Sequence, residues 1–121
     1  MSIKAIVVEP GREPAVHSIE NNLESLQGIV GGYIQAVYPY DDPVAIICNE
    51  EAKLEGLPLN RALRDEDGDV YDIVAGTFLI VGLTEDDFGS VPENLIDKYL
   101  TLFEAPEMFL HNGEKTIVLQ L

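Results

Sequence analysis

Three short polar segments follow the ends of apolar runs in the sequence, and their residue types could build a binding site. Asn49 comes directly after the apolar run 44–48, so we expect its side-chain amide at the margin of a sheet. Asn60 and Arg61 follow Pro58, and we expect them in a short constrained loop. Such a surface could hold a ligand, although loop caps and local ion pairs explain the same residues more simply. The predicted ligand-binding residues are Gly31, Gly32, Tyr33, Asn49, Glu50, Leu57, Pro58, Asn60 and Arg61.

The acidic run 65–69 stands next to a basic pair, Arg61 and Arg64, which either binds an anionic ligand or neutralises the run. The run also invites a calcium interpretation. An EF-hand loop needs a ligand at its first position, a glycine at its sixth and a glutamate at its twelfth. With Gly68 as the sixth residue, Leu63 stands first and Val74 twelfth, and neither binds a hard cation. We expect a solvated hairpin loop that could hold a metal only adventitiously, and we predict no metal site and no cofactor.

The residues that usually carry catalysis are isolated or absent from the sequence. It has no nucleophile elbow, no phosphate-binding glycine loop and no zinc-protease helix motif. The single cysteine, Cys48, lies inside an apolar run and is expected to be a small buried side chain. His17 and His111 have no metal-binding spacing. Carboxylates are too numerous for any pair to be specific, so we predict that the protein is not an enzyme.

The net charge is the one unusual feature of the composition. Seven basic residues stand against 22 acidic ones, which gives a formal net charge of −15. Binding a nucleic-acid backbone requires lysine and arginine to displace counterions, so direct DNA or RNA binding is not expected. The charge either keeps the protein soluble or imitates a polyanion and occupies the basic groove of a DNA-binding enzyme.

The first half of the chain predicts strands and a helix that would position these residues. Strand-like runs at 3–8 and 15–20 are separated by a proline-rich turn and should pair. Helical spacing begins at residue 23, with an N-cap offered by the Asn21-Asn22 pair and a stop at Gly31. Runs at 33–38 and 44–48 favour a hairpin, with the second strand buried on both faces.

The second half is predicted to contain further strands and a second helix. One or two helical turns are expected at 57–64, and the strongest strand signal covers 70–83. Ser90 and Glu93 fit a capping box at the start of a helix. A terminal strand at 116–121 is expected to return to the sheet edge, where it could pair two copies into a homodimer.

These elements together predict one α+β domain over residues 1–121. Its sheet is expected to be mostly antiparallel, with about five or six strands and two main helices packed on it. No stretch approaches the ~20 apolar residues of a membrane span, and the N-terminus lacks the pattern of a signal peptide. A cytoplasmic location without membrane contact is the expectation.

The chain resembles the DUF3846 family, small proteins of unknown function from bacteria, phages and mobile elements. The residues that carry the resemblance are 26–34, 49–51 with Lys53, 56–60, and the later strand 73–82. The resemblance covers about residues 3–104, and a C-terminal strand extension at 114–121 lies outside it. It implies no established activity. It does imply a phage or mobile-element context, in which small acidic proteins often act on host defence.

Three functions are consistent with these residues. The first is a non-enzymatic acidic binding protein of phage or mobile-element type, which holds a small ligand or a protein partner at the loop surface. The second is a DNA mimic that inhibits a host restriction or defence enzyme. The third is an enzyme that uses local carboxylates with Asn49 or Arg61.

Overall fold

The computed structural model describes residues 1–120 and contains ten strands and two helices in that range. They are β1 (Ser2–Val8), β2 (Ala15–Glu20), α1 (Leu23–Val30), β3 (Ile34–Val37), β4 (Val44–Asn49), β5 (Leu59–Arg64), β6 (Val70–Ala75), β7 (Phe78–Leu83), β8 (Phe88–Gly89), α2 (Glu93–Leu102), β9 (Glu107–Asn112) and β10 (Lys115–Gln120). Neither helix of this range has the length and apolar content needed to cross a membrane.

Six strands form the main sheet in the order β2-β1-β7-β4-β3, with β8 paired to β7. All of these pairings are antiparallel. β4 and β7 lie at the centre, and their side chains are buried on both faces because each face is covered by a separate apolar cluster. On one face α1 packs through Leu26. On the other, α2 packs through Tyr99 and its C-cap residue Phe103, and the β5–β6 hairpin packs through Leu63 and Val74.

The α+β class, the mostly antiparallel sheet and the two packed helices are as the sequence predicts. The number of strands is larger than predicted, because two separate two-stranded sheets, β5–β6 and β9–β10, accompany the six-stranded main sheet. The ends of α1 also match the sequence. Asn22 Oδ1 accepts a hydrogen bond of 2.8 Å from the Ser25 amide, and Gly31 ends the helix with φ of 81°.

The helical turns predicted at 57–64 are wrong, because this segment contains β5, paired antiparallel with β6. Local spacing suggested a helix, but two features favour a strand. A residue before a proline avoids the helical region, so Leu57 is biased toward extended backbone by Pro58. The turn at Gly68, where φ is 84°, returns the chain for pairing with β6.

The capping box predicted at Ser90 and Glu93 is also wrong. The N-cap of α2 is Pro92, and no side chain caps the helix. Ser90 Oγ instead accepts a hydrogen bond of 2.9 Å from the Lys4 amide. The Val91 amide donates to the Lys4 carbonyl at 2.9 Å, so contacts with β1 hold this segment in place of a local cap.

The terminal strand does not return to the edge of the main sheet. β10 pairs with β9 across a tight turn in which Gly113 has φ of 64°. A short turn closes this hairpin at little entropic cost, which favours local pairing over a distant sheet edge. Leu121, the last residue of the predicted strand, lies outside the described residues.

Candidate functional site

A cleft of about 250 Å³ opens where α1, the start of β3 and the end of β4 meet. We call it the Asn49 cleft. Its position follows from the sheet, because the β3–β4 pairing places Ile34 opposite Asn49 and so brings the α1–β3 connection beside the segment that follows β4. The residues that line it are Gln27, Gly32, Tyr33, Asn49, Glu51 and Glu55.

Asn49 organises this cleft through its side-chain amide, which is 4% exposed. Its Nδ2 donates to the Val30 carbonyl at 3.3 Å and to Glu55 Oε1 at 3.2 Å. Its Oδ1 accepts a hydrogen bond of 2.8 Å from the Glu51 amide. One amide therefore connects the end of α1 to both ends of the loop after β4, which makes Asn49 a positioning residue for the cleft walls.

Two consecutive glycines, Gly31 at the end of α1 and Gly32 in the cleft wall, determine the shape of this region. Gly31 ends α1 in the left-handed conformation that glycine adopts without strain. At Gly32 a Cβ atom would lie 2.9 Å from Asn49 Nδ2, closer than such contacts normally allow. The close approach of Gly32 to Asn49 thus depends on the missing side chain.

Two carboxylates stand together on the loop wall. The Glu55 amide donates to the Glu51 carbonyl at 2.9 Å, which closes one helical turn between them. Residues four apart in such a turn project to the same side, so both acids border the cleft. Across from them the Tyr33 carbonyl accepts from the Glu50 amide at 2.8 Å, while the Tyr33 side chain stays 69% exposed.

A second cleft, of about 180 Å³, adjoins the same loop and shares Asn49 and Glu51 with the Asn49 cleft. We call it the Cys48 cleft. Its walls come from β3, β4 and the β5–β6 hairpin, and Asn49 and Glu50 border it as well. Burial raises the pKa of the Cys48 thiol, so it stays protonated at neutral pH. Lys53 and Asp72 form an ion pair of 2.9 Å at its rim.

Hydrogen bonds keep Asp72 ionised despite partial burial. Burial works to raise the pKa of this carboxyl group. The hydrogen bond from Lys53 and the one from the Ile73 amide outweigh it, and the pKa lies below its ordinary value. The Lys53 ammonium is therefore directed to the Cys48 cleft and not to the Asn49 cleft.

Asn60 and Arg61 do not lie in a loop, and that prediction is wrong. Both belong to β5, where their exposures are 0% and 1%. Asn60 Nδ2 donates to the carbonyls of Val8 and Gly76, each at 2.8 Å. The strand places these side chains under the main sheet, where polar groups must find internal partners.

The Arg61 guanidinium is satisfied inside the protein. It donates to the Phe103 carbonyl at 3.1 Å, to Asn60 Oδ1 at 2.8 Å and to the carbonyl of Arg12. Burial lowers the pKa of Arg61, and the nearby Glu107 carboxylate acts in the opposite direction. An arginine held in this way has its donors directed at oxygens inside the protein and not at a surface ligand.

Glu107 completes this buried polar network and was missed by sequence reasoning. Its Oε1 accepts from the Ala62 amide at 3.0 Å and its Oε2 from Arg64 at 2.8 Å. Arg64 therefore pairs with Glu107 and not with the acidic run 65–69. No local signal marks Glu107, because 43 residues separate it from Arg64.

The nine predicted site residues thus separate into groups. Gly32, Tyr33 and Asn49 line the Asn49 cleft, and Glu50 lines the Cys48 cleft. Leu57 borders a shallow depression between the two small hairpins. Gly31 and Pro58 border none of these clefts, and Asn60 and Arg61 are internal.

Three further residues line the Asn49 cleft without having been predicted as site residues: Gln27, Glu51 and Glu55. The spacing of Glu51 and Glu55, four apart before Gly56, was the signal available for the two acids.

The acidic run forms the hairpin loop that the sequence predicts. Asp65 Oδ1 accepts hydrogen bonds from the amides of Asp67 and Asp69, at 2.9 and 3.0 Å. One oxygen from each of these three carboxylates lies within 4.8 Å of the others, and all three residues are exposed. The backbone bonds account for this geometry as loop capping.

Comparisons with known proteins identify a family. No curated protein and no solved structure matches the chain significantly. A family model described as a domain of unknown function (DUF3846) matches residues 3–104. The matched range contains α1, the loop after β4 and all residues of the Asn49 cleft, and it ends before the β9–β10 hairpin. Since this match covers most of the 121 residues, the chain belongs to the DUF3846 family.

Proposed function

We propose that this protein is a non-enzymatic binding module whose ligand occupies the Asn49 cleft. The ligand is either a small molecule or a side chain presented by a protein partner. One observation carries the proposal: residues from α1, the α1–β3 connection and the loop after β4 meet around a single cleft. Ligand sites are typically concave and pre-formed, with a few placed polar groups.

The hydrogen bonds around Asn49 support a pre-formed site. The amide is already bound on three sides by Val30, Glu51 and Glu55, so the walls need little reorganisation when a ligand enters. Tyr33 adds an aromatic surface that has no role in the two apolar clusters. An exposed aromatic ring beside a pre-formed cleft is typical of a binding surface.

A fragment titration followed by amide chemical shifts tests the proposal. Binding should shift the amides of Gly32 and Glu51 and should weaken in Tyr33→Ala. Tyr38→Ala is the matched control, because Tyr38 is 61% exposed and borders neither cleft of the loop. If no fragment shifts the cleft amides, or if both variants weaken binding equally, the proposal fails.

A second candidate function is inhibition by DNA mimicry, and one observation favours it. The loop between β3 and β4 and the loop between β5 and β6 border the same depression of about 640 Å³. Five carboxylates line it, those of Asp41, Asp42, Asp65, Glu66 and Asp67, against two cations, Arg64 and Lys98. Two acidic loops distant in sequence thus present negative charge on one side, as a competitor of DNA would require.

Protection of plasmid DNA from a panel of restriction enzymes tests this second candidate. The variant with Asp65→Asn, Glu66→Gln and Asp67→Asn should lose protection. A variant with the same change of charge at Glu9, Glu13 and Glu85 should keep it. Absence of protection by the wild-type protein across the panel would remove the candidate.

We also propose that the partner at the β9–β10 hairpin is a second copy of the chain. Met108 pairs with Leu119 and Leu110 with Ile117, so the four side chains share one face. Each is 44–45% exposed. By strand alternation this face also carries Lys115 but no carboxylate, so in a protein of net charge −15 two identical faces can meet without bringing carboxylates into contact.

The self-association should be weak and favoured by salt. Burial of the remaining exposed half of these side chains stabilises the dimer by about 1 kcal/mol for each side chain. The association of two copies costs roughly 4–15 kcal/mol in total. Sedimentation velocity over a range of protein concentrations measures it. Leu110→Glu should abolish dimerisation, and Leu23→Glu, at an exposed position of α1, should not. A monomer at every concentration in high salt would contradict this proposal.

A further inference from the structure

The ionisable groups that border the Asn49 cleft are all acidic. Glu51 and Glu55 line it, and no lysine or arginine among residues 1–120 does. Lys53, the nearest basic residue along the loop, borders the neighbouring Cys48 cleft and is paired there with Asp72. Neither Glu51 nor Glu55 forms an ion pair within residues 1–120, so the cleft presents two carboxylates without a paired cation.

The two carboxylates are available to a ligand. Asn49 Nδ2 holds Glu55 Oε1 at 3.2 Å, which orients the group and leaves its other oxygen without a protein donor in residues 1–120. Glu51 uses its main-chain amide and carbonyl in the loop, and no hydrogen bond within that range engages its carboxylate. Carboxylate oxygens in this state are acceptors that a charged N–H donor satisfies best.

Tyr33 adds a second, independent observation. Its side chain is 69% exposed on the same cleft, although large aromatic side chains usually bury their surface. The face of an aromatic ring attracts organic cations through its negative quadrupole, and tyrosine serves this role in ammonium-binding sites. A ring and two carboxylates on one concave surface fit an ammonium or guanidinium group.

The protein contains an internal example of this chemistry elsewhere. Lys98 Nζ lies 5.4 Å from the centre of the Tyr99 ring and hydrogen-bonds Asp42 Oδ2. Tyrosine, carboxylate and ammonium are all present in that cluster. The Asn49 cleft offers the tyrosine and the carboxylates, and the cation would come from outside.

We propose that the Asn49 cleft recognises an organic cation, an alkylammonium or guanidinium group held between the Tyr33 ring and the carboxylates of Glu51 and Glu55. The inference rests on the proposed binding function and names the chemistry of its ligand. The cation belongs either to a free amine or to a lysine or arginine side chain of a partner, and both sources present the same group.

Titrations of the full chain with defined probes test the inference by amide chemical shifts. The cations are tetramethylammonium, agmatine and a lysine-containing peptide. tert-Butanol is the neutral probe of similar shape, acetate the anionic probe, and calcium tests for a metal. The cations should shift the amides of Gly32, Glu51 and Glu55, and tert-butanol and acetate should not.

Matched variants assign the contacts. The double variant Glu51→Gln with Glu55→Gln should weaken binding of agmatine and the peptide at least about tenfold, since charge-assisted hydrogen bonds are lost, and should weaken binding of tetramethylammonium through the lost electrostatic attraction. Glu9→Gln with Glu85→Gln makes the same change of charge at exposed positions away from the cleft, and it should weaken binding less than about twofold. Tyr33→Ala should weaken the binding of tetramethylammonium, which offers no N–H donor, more than it weakens the binding of calcium.

The outcomes separate this inference from the proposed function. If acetate or neutral fragments bind the cleft and the cations do not, the cation assignment is overturned and the binding function stands. If no probe shifts the cleft amides, both fail. Calcium binding with no effect of Tyr33→Ala on the organic cations would also overturn the inference. Tighter binding of the peptide than of agmatine would identify a partner side chain as the source, and the reverse a free amine.

Discussion

Asn49 and Asn60 are both almost fully buried and both bind main-chain carbonyls, yet they stabilise different parts of the molecule. Asn60 joins β5 to the carbonyls of Val8 and Gly76 in the interior. Asn49 joins the end of α1 to an exposed loop at the margin of the sheet. Burial of an amide therefore does not distinguish a fold-stabilising residue from one that shapes a site, whereas the exposure of its partners does.

The largest effect should come from the interior region. Arg61→Met removes donors from the carbonyls of Phe103 and Arg12 and leaves them unpaired, so we expect a loss of about 3 kcal/mol in the free energy of unfolding. Urea denaturation measures it. Arg12→Met is the control, because the Arg12 side chain is exposed and its carbonyl remains. A loss below about 1 kcal/mol would contradict the interior role of Arg61.

The loop at the margin of the sheet should respond differently when Asn49 is removed. Asn49→Ala should cost about 2 kcal/mol and should accelerate hydrogen exchange at the Glu51 amide, which loses its acceptor. Asn60→Ala should destabilise by a similar amount without selectively exposing that amide. Amide exchange measured by NMR at matched global stability separates the two variants. Equal exchange rates at the Glu51 amide in both variants would contradict the different roles of Asn49 and Asn60.

A smaller effect should arise from the close approach at Gly32. Gly32→Ala places a Cβ against Asn49 Nδ2, and we expect a cost of about 1 kcal/mol. In the Asn49→Ala background the obstructing amide is gone, so most of this cost should disappear. The double-mutant cycle measures the coupling energy between the two positions. Additive costs would mean that the amide and the glycine do not constrain each other.

The smallest effect is expected on lowering the pH, which protonates carboxylates and leaves both asparagine amides unchanged. Hydrogen bonds from Lys98 and Tyr99 lower the pKa of Asp42 below its ordinary 3.8. A lowered pKa contributes stability above the unfolded-state value and loses it as pH falls through the folded value. The stability difference between wild type and Asp42→Asn should therefore shrink below pH 3.8, as followed by thermal melts. A constant difference would contradict this contribution.

The sequence predicts the parts of this fold that depend on local residues. Apolar runs indicated β4 and β7, Asn22 and Gly31 indicated the ends of α1, and the Asp67-Gly68 pair indicated a hairpin turn. It did not predict β5, because the buried partners of Asn60 and Arg61 come from distant segments. Ser90 was misassigned for the same reason, since its hydrogen bond goes to β1.

The candidate site was predictable to the same extent. Gly32, Tyr33 and Asn49 were identified because turn residues and a polar side chain follow apolar runs. The roles of Glu51 and Glu55 depend on a single turn whose geometry the sequence does not specify. Asparagine and arginine are residue types that ligand sites often contain, which is why Asn60 and Arg61 were predicted there. Only the pairing of β5 with β6 shows that they are internal.

A chemical-shift map of the full chain titrated with tetramethylammonium tests most directly whether binding belongs to the margin or to the interior. Shifts should concentrate at Gly32, Tyr33, Glu51 and Glu55, and the amide of Arg61 should stay unchanged. Shifts centred on β5, or shifts that persist in Glu51→Gln with Glu55→Gln, would contradict binding at the margin.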